Sequence, residues 1–365
     1  MENYLYEFWL LKNEDISYGK KAKLVDYFYD SYNLYHASKS ELINSNLFEP
    51  ANLEAFLANK AKFDIESEYE LFASTPFSYI TIENPAYPSK LKNIYDPPYG
   101  LFYIGKLPSF YKTVSIVGAR RCSAYGKRMA LELGEKLGTN GFTVISGMAR
   151  GIDSYAHRGC LDKNGITAAV LGSGCDVIYP TDNRQLYSDI ISGGGAVISE
   201  YQIGTSPVAM NFPRRNRIVS ALSDVVIVIE ARDKSGSLIT ADFALEHGKD
   251  IYVTPGRIGD SLSLGTNRLI SQGAGVIYDT DAFVGEMLER YGEKANAVTK
   301  SSSNKCILSP EQKKVYDLFD DYPKSISTVL EESGMDYLKL LSLVFSLEKL
   351  GMLAEVFKNN YTKVA

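Results

Sequence analysis

The sequence predicts an α/β protein built on a doubly wound parallel sheet, with short helices before the sheet and three helices plus a hairpin after it. Three observations carry this expectation. Short apolar β-type runs recur from Thr113 onward, amphipathic stretches separate them, and the loops that follow the runs are rich in Gly, Ser and Arg. Continuous apolar runs of this length belong to strands buried on both faces, which is how helices cover a parallel sheet.

Taken in order, residues 1–75 read as a helical domain. Apolar residues recur at helical spacing in Leu24-Val25-Asp26-Tyr27-Phe28, after a turn at Gly19-Lys20-Lys21, and a second helical stretch covers 51–73. Residues 1–100 carry 15 acids against 9 Lys and Arg, a balance that fits a protein-interaction module better than a helix-hairpin-helix DNA binder. Residues 76–108 are rich in proline and tyrosine and read as an extended connector with a few short strands. The apolar runs follow at Val114–Val117, Thr143–Ile145, Ala168–Leu171, Ala196–Ile198, Val225–Ile229 and Ile251–Val253, with a last one near Val276–Tyr278. Asp224 stands where a central strand would begin. The sheet domain is expected over 76–292, a polar Ser-containing linker over 293–304, and a C-terminal domain over 305–365. That last stretch shows helices at Glu311–Phe319, Ser327–Ser333 and Tyr337–Leu350, a C-cap at Gly351, and two short strands around Lys358-Asn359-Asn360. This is the winged-helix pattern, but its third helix carries only Lys339 and Lys349, offset by Asp336 and Glu348.

The chain's 365 residues allow two or three domains, and its net charge of -5 argues against nucleic-acid binding over the whole surface. The middle differs from the rest: residues 111–230 carry 10 acids against 13 Lys and Arg. Four dispersed cysteines without a CxxC pair fit a reducing compartment. No signal peptide or membrane-length apolar run is evident, so a cytoplasmic location is expected.

In a doubly wound sheet, ligands bind at the carboxyl ends of the strands, so the loops there are the candidate site. The first is Gly118-Ala119-Arg120-Arg121-Cys122-Ser123, running into a helix. The second is Ser146-Gly147-Met148-Ala149-Arg150-Gly151-Ile152-Asp153, and the third Gly172-Ser173-Gly174. The fourth is Phe212-Pro213-Arg214-Arg215-Asn216-Arg217, and the fifth Glu230-Ala231-Arg232 through Ser235-Gly236-Ser237. Gly and Ser let backbone amides approach an anion, arginines fork onto phosphate oxygens, and an aromatic ring offers a face to a base. Neither the dinucleotide fingerprint nor the P-loop spacing is present, so no cofactor is expected. Other residues have plainer readings. His157 and Cys160 sit three apart on a helix with no second ligand pair, so His157 reads as packing or capping and no metal is expected. Asp153, Glu200 and Glu230 could act as acid or base but lack a partner nucleophile, and Glu230 could simply pair with arginines. His247 ends a helix, where a cation suits the dipole. Phe212 could equally be core, with Pro213 opening a helix.

In sequence order, these blocks resemble the DNA-processing protein A (DprA/Smf) family. Carrying the resemblance are Val117-Gly118-Ala119-Arg120, Ser146 through His157, Gly172 through Pro180, Phe212 through Val219 and Glu230 through Ala241. Pro255-Gly256 and Gly265-Thr266-Asn267 continue it, over roughly residues 80–280. The resemblance implies an extended Rossmann-like domain that binds single-stranded DNA, protects incoming strands in natural transformation, helps load the RecA recombinase and forms a homodimer. It implies a sterile-alpha-motif-like N-terminal domain and a winged-helix tail. It places Arg120 and the amides around Gly147 and Gly172–Gly174 on phosphates, Arg214, Arg215 and Arg217 along the strand, and Phe212 near a base. Gly118, Arg121, Ser146, Ser173, Asn216, Ser235, Gly236 and Ser237 complete the expected DNA-binding set. Ala119 and Cys122-Ser123 depart mildly from the family pattern. No enzyme activity is expected. The competing reading is a nucleotide phosphoribohydrolase of the lysine-decarboxylase-like (LOG) type, whose Gly-Gly-x-Gly-Thr core is missing from Lys234–Thr240. A transcription regulator using the winged helix is the third.

Overall fold

Every residue of the strand Val225–Ile229 is buried. Val226 and Val228 join one core cluster, and Val225, Ile227 and Ile229 join another. Successive side chains point to opposite faces of a strand, so helices cover this sheet on both sides. The computed structural model describes residues 3–291, 309–319, 324–349, 352–357 and 360–363. The chain divides into two units, Met1–Glu293 and Lys294–Ala365.

The first unit opens with α1 (Asn3–Lys12), α2 (Tyr18–Phe28), α3 (Ser31–His36), α4 (Lys39–Asn44), α5 (Pro50–Lys62) and α6 (Ile65–Ala73). Next come β1 (Ser78–Thr81), α7 (Ser89–Lys92) and β2 (Gly100–Gly105). A regular alternation follows: β3 (Thr113–Gly118), α8 (Ala124–Thr139), β4 (Thr143–Ser146), α9 (Ile152–Leu161), β5 (Thr167–Val170), α10 (Arg184–Ser192) and β6 (Ala196–Ser199). It continues through α11 (Asn211–Ala221), β7 (Val225–Ile229), α12 (Gly236–Glu246), β8 (Asp250–Val253), α13 (Leu264–Ser271), β9 (Gly275–Val276) and α14 (Thr280–Tyr291). Helices α7, α11, α12 and α13 cover one face. Helices α8, α9 and α14 cover the other.

The strand order is β1-β2-β6-β5-β4-β3-β7-β8-β9. From β6 to β9 the pairs are parallel, while β1–β2 and β2–β6 are antiparallel. The sheet is therefore mixed, and the stretch expected as a connector supplies its antiparallel edge. The prolines fall between and around β1 and β2, at Pro76, Pro85, Pro88, Pro97, Pro98 and Pro108, which leaves both strands their N–H donors. Chain order reverses at β3: β4 to β6 build outward on one side and β7 to β9 on the other. The carboxyl ends of β3 and β7 thus flank a topological switch point. Asp224 opens β7 as expected, its carboxylate accepting from the Thr113 N–H at 2.9 Å and pairing with Lys90 at 2.7 Å.

Three local expectations change. Gly19-Lys20-Lys21 lies inside α2 and is no turn; Lys21 is buried and donates to the Leu11 carbonyl at 2.7 Å. The 51–73 stretch is two helices, broken where Asp64 caps the Ser67 N–H. Phe212 through Arg217 belongs to α11 and is no loop, because Pro213 sits in the first turn, where its missing N–H has no intrahelical partner. The N-terminal helices share a core with the sheet: Trp9, Leu24 and Phe56 cluster with Tyr99, Phe102 and Cys175.

In the second unit, α15 (Pro310–Tyr316), α16 (Ile326–Ser333) and α17 (Tyr337–Lys349) accompany β10 (Lys324–Ser325), β11 (Leu353–Phe357) and β12 (Asn360–Lys363). The strands form an antiparallel sheet of order β10-β12-β11 over a core of Val315, Phe319, Leu340, Val344 and Tyr361. This is the winged-helix arrangement, with β10 as a strand the sequence did not announce. Lys339 pairs with Glu311 at 2.6 Å. The expected linker 293–304, the C-cap Gly351 and the turn at Lys358-Asn359 lie outside the described residues. Among the described residues no helix is long and apolar enough to cross a membrane.

Candidate nucleic-acid interface

At the switch point, the loops after β3, β4 and β7 enclose a cavity of about 660 Å³ with the first turns of α11 and α12. Its floor is a buried cation. Arg215 is only 4% exposed, and its guanidinium donates to the carbonyls of Gly147, at 2.9 Å, and Val170, fastening the ends of β4 and β5 together. Asp153, near the start of α9, lies close by and accepts from the N–H groups of Gly147 at 3.1 Å and Ala149 at 3.4 Å. A Cβ at Gly147 would stand 2.6 Å from Arg215 Nη2 and 2.8 Å from Asp153 Oδ2, so any larger residue there would displace one of the two groups. Burial pushes the Arg215 pKa down to about 10, with Asp153 pulling the other way, so the group is still a cation at neutral pH. Burial likewise pushes the Asp153 carboxyl up, against the pull of Arg215 and the two amides.

Above this floor lies an aromatic wall. Phe212 is half-buried in the first turn of α11, its ring held against Gly172, where a Cβ would come within 2.9 Å of Cδ1. The Tyr179 ring is 5.5 Å away and tilted by 39°. The guanidiniums of Arg120 and Arg215 sit over the Phe212 ring at 5.4 and 6.0 Å. Such contacts are worth about 0.5–2 kcal/mol each and keep both cations beside the ring.

The rim is cationic. Arg120, Arg121, Arg232 and Lys234 are exposed and line the cavity, and none has a carboxylate partner among the described residues. The first turn of α12 adds its positive end. Ser235 caps that turn by accepting from the Ser237 N–H at 3.4 Å, and Asn216 donates to the Gly236 carbonyl at 3.2 Å.

Of the expected residues, the cavity brings together Gly118, Arg120, Arg121, Gly147, Phe212, Arg215, Asn216, Ser235, Gly236 and Ser237. It does not include Ser146, Gly172, Ser173, Gly174, Arg214 or Arg217. Ser146 donates to the Ile116 carbonyl at 2.6 Å and Ser173 to the Val177 carbonyl at 2.9 Å, both as internal ties. Two of the amides expected on phosphates are already engaged: Gly147 N–H by Asp153, and Gly174 N–H by the Thr205 carbonyl at 2.9 Å. Arg217 is the larger correction. It is 4% exposed and donates to Glu200 at 2.6 Å and Asp96 at 3.1 Å. Burial alone would lower its pKa, but Glu200 and Asp96 together raise it. Arg214 reaches Asp96 at 3.5 Å and Glu200 at 3.6 Å, with its guanidinium 5.3 Å above the Tyr18 ring of α2. Among the lining residues left out of the expected set are the cations Arg232 and Lys234, which stand in the fifth loop, and the ring of Tyr179.

The remaining titratable residues have structural duties. His157 is buried, its Nδ1 2.6 Å from Thr167 Oγ1; because that hydroxyl donates to Val144, the imidazole is the donor between them. Burial pushes its pKa down to about 3, with Arg215 adding to the effect, so it is a neutral packing residue as expected. Glu230 pairs with no arginine; it accepts from the backbone N–H of Ser123 at 2.8 Å and from its hydroxyl. His247 does end α12, but burial, Lys249 and Arg217 lower its pKa, which disfavours the cation anticipated there. Among the described residues no group of three or more His, Cys, Asp or Glu side chains is placed to hold a metal ion.

Fold and site together define a Rossmann-like α/β protein with a cleft rimmed by arginines and lysine at its switch point. The sequence profile of one family, described as DNA recombination-mediator protein A, matches residues 78–288, and the chain belongs to that family. Protein Smf of Escherichia coli is 36% identical over 285 residues, which is 76% of this chain and 75% of that protein. DNA processing protein DprA of Bacillus subtilis is 35% identical over 263 residues, covering 70% of this chain and 88% of the relative. DNA processing protein A of Streptococcus pneumoniae superposes with a TM-score of 0.68 at 33% identity, over 78% of this chain and 99% of that one. A structure of the Helicobacter pylori protein, reported for its single-stranded DNA binding mode, gives 0.53 at 35% identity, over 59% of this chain and 98% of that one.

Proposed function

We propose that this protein binds single-stranded DNA in the switch-point cleft. In this reading it protects incoming strands in natural transformation and recombination, and acts in the cytoplasm as a homodimer that helps load the RecA recombinase. The observation that carries the reading is the set of cations without a carboxylate partner among the described residues, Arg120, Arg121, Arg232 and Lys234, around the Phe212 and Tyr179 rings. Exposed guanidiniums without carboxylates suit a phosphate backbone, and rings beside them suit unstacked bases. A duplex would bury its base faces and leave the aromatic wall without a partner.

The reading is of a binder and not a catalyst. Asp153 ties down the amides of Gly147 and Ala149, and Glu230 ties down Ser123, structural duties that support the binding reading. The deciding measurement is fluorescence anisotropy with labelled single-stranded and duplex oligonucleotides at ~50 and ~200 mM salt. Sequence-tolerant single-strand binding that weakens steeply with salt is expected. Equal affinity for duplex, or base release from nucleoside monophosphates, would overturn the reading. Order-of-addition assays of RecA filament growth and sedimentation of the full chain test the loading and dimer components.

A further inference from the structure

The main cavity does not end at Arg121. A pocket of about 260 Å³ shares Arg120, Arg121, Phe212 and Tyr179 with it and reaches Arg150 and Thr181. A side groove of about 300 Å³ then carries Arg120, Arg121 and Arg150 onward to Tyr155 and Arg158 on α9. Four arginines line this groove and no carboxylate does. Arg121 and Arg158 are exposed and have no acidic partner among the described residues. Arg150 pairs with Asp182 at 2.7 Å, but both side chains are 63% exposed, and a pair so hydrated readily exchanges its carboxylate for a phosphate. Beside the groove, the Lys127 ammonium sits 5.0 Å over the Tyr155 ring, repeating the cation-on-ring contact of Arg120 and Phe212.

From this continuity we infer that a DNA single strand held in the main cavity runs on into the side groove, where Arg158, Lys127 and Tyr155 take further nucleotides. The inference rests on the single-strand reading of the main cavity and adds a second stretch of contact with its own residues. A row of cations on one wall, continuous with the first, matches a ligand that repeats its charge along its length. A mononucleotide or free phosphate fills one pocket and has no use for the row.

The test is a length series of oligothymidylates binding to the full chain, compared with Arg158→Ala and with Arg158→Ala combined with Lys127→Ala. Both sites are exposed, and thermal unfolding of each variant checks that the chain is intact. Short oligomers should bind wild type and variants alike. Longer oligomers should gain affinity on the wild type, and the double variant should lose roughly tenfold of that gain, as expected for charge-assisted contacts. The variant's salt slope should fall by about 0.7 per lost phosphate contact. An identical gain with length in variant and wild type overturns the groove, as does an equal loss on the shortest oligomers. Failure of the wild type to bind any oligomer overturns the single-strand reading beneath it as well.

Discussion

Helix α11 separates two regions that look alike in composition and differ in every other respect. In front of it, Phe212 and Arg215 face the cleft, with the partnerless Arg120, Arg121, Arg232 and Lys234 around them. Behind it, Arg214 and Arg217 meet Asp96 and Glu200. Residues three apart share a helix face, so 212 with 215 and 214 with 217 fall on opposite sides. The lesson concerns partners. An arginine whose carboxylates are supplied from within the fold holds the fold together, and one that lacks them is available to a ligand.

Substitutions can break that contrast from either side. The largest effect should come from behind the helix. Arg217→Ala leaves the buried Glu200 with only the longer contact to Arg214 at 3.6 Å, and should cost up to about 3–5 kcal/mol in urea unfolding, while oligonucleotide affinity of the folded fraction stays within a few-fold. If affinity collapsed as far as stability, the two regions would be one. In front, Arg120→Ala with Arg121→Ala should weaken single-strand binding roughly 10- to 100-fold and lower the salt slope by about 1.4, with little change in unfolding. Phe212→Leu keeps apolar bulk but loses the stacking face, and a loss of about 1–3 kcal/mol in affinity is expected across all sequences. An unchanged affinity would make Phe212 a packing residue.

The back region can also be tested by pH. Lys21 is buried, near enough to Glu200 for that carboxylate to support its charge, and burial lowers its pKa from 10.5 to about 7. Between those values the unfolded chain holds a proton that the folded chain lacks, so stability rises with pH across that window. Lys21→Met should remove a slope of about 1.4 kcal/mol per pH unit, seen as a converging difference in urea midpoints between pH 7.5 and 9.5.

Much of this fold was legible. The strands β3 to β8 fall on the apolar runs because a strand buried on both faces has no polar positions to disguise it. The strands β1 and β2 fall where a few short strands were expected among the prolines, but nothing local to that stretch showed that they extend the sheet antiparallel beyond β6. The cleft was legible as a location, since strand ends of a doubly wound sheet converge. The roles of single arginines were not. Reading Phe212–Arg217 as a loop hid the two-faced helix, and nothing local to that segment reveals that Asp96 and Glu200 wait behind it. Glu230 was misjudged for the same reason: its partner, Ser123, is 107 residues away in sequence.

The seam between β3 and β7 sets a limit on when this protein can work. Gly118 lies opposite Ile229 in that register, and the Thr113–Asp224 contact beneath it spans 111 residues. During synthesis the wall bearing Arg120 leaves the ribosome long before the wall bearing Arg232. A growing chain therefore displays its first arginines with no cleft behind them, and the cleft is complete only once β7 has inserted. On the single-strand reading proposed above, capture of DNA would certify completed folding, and a bound strand would in turn raise the unfolding temperature of the whole sheet.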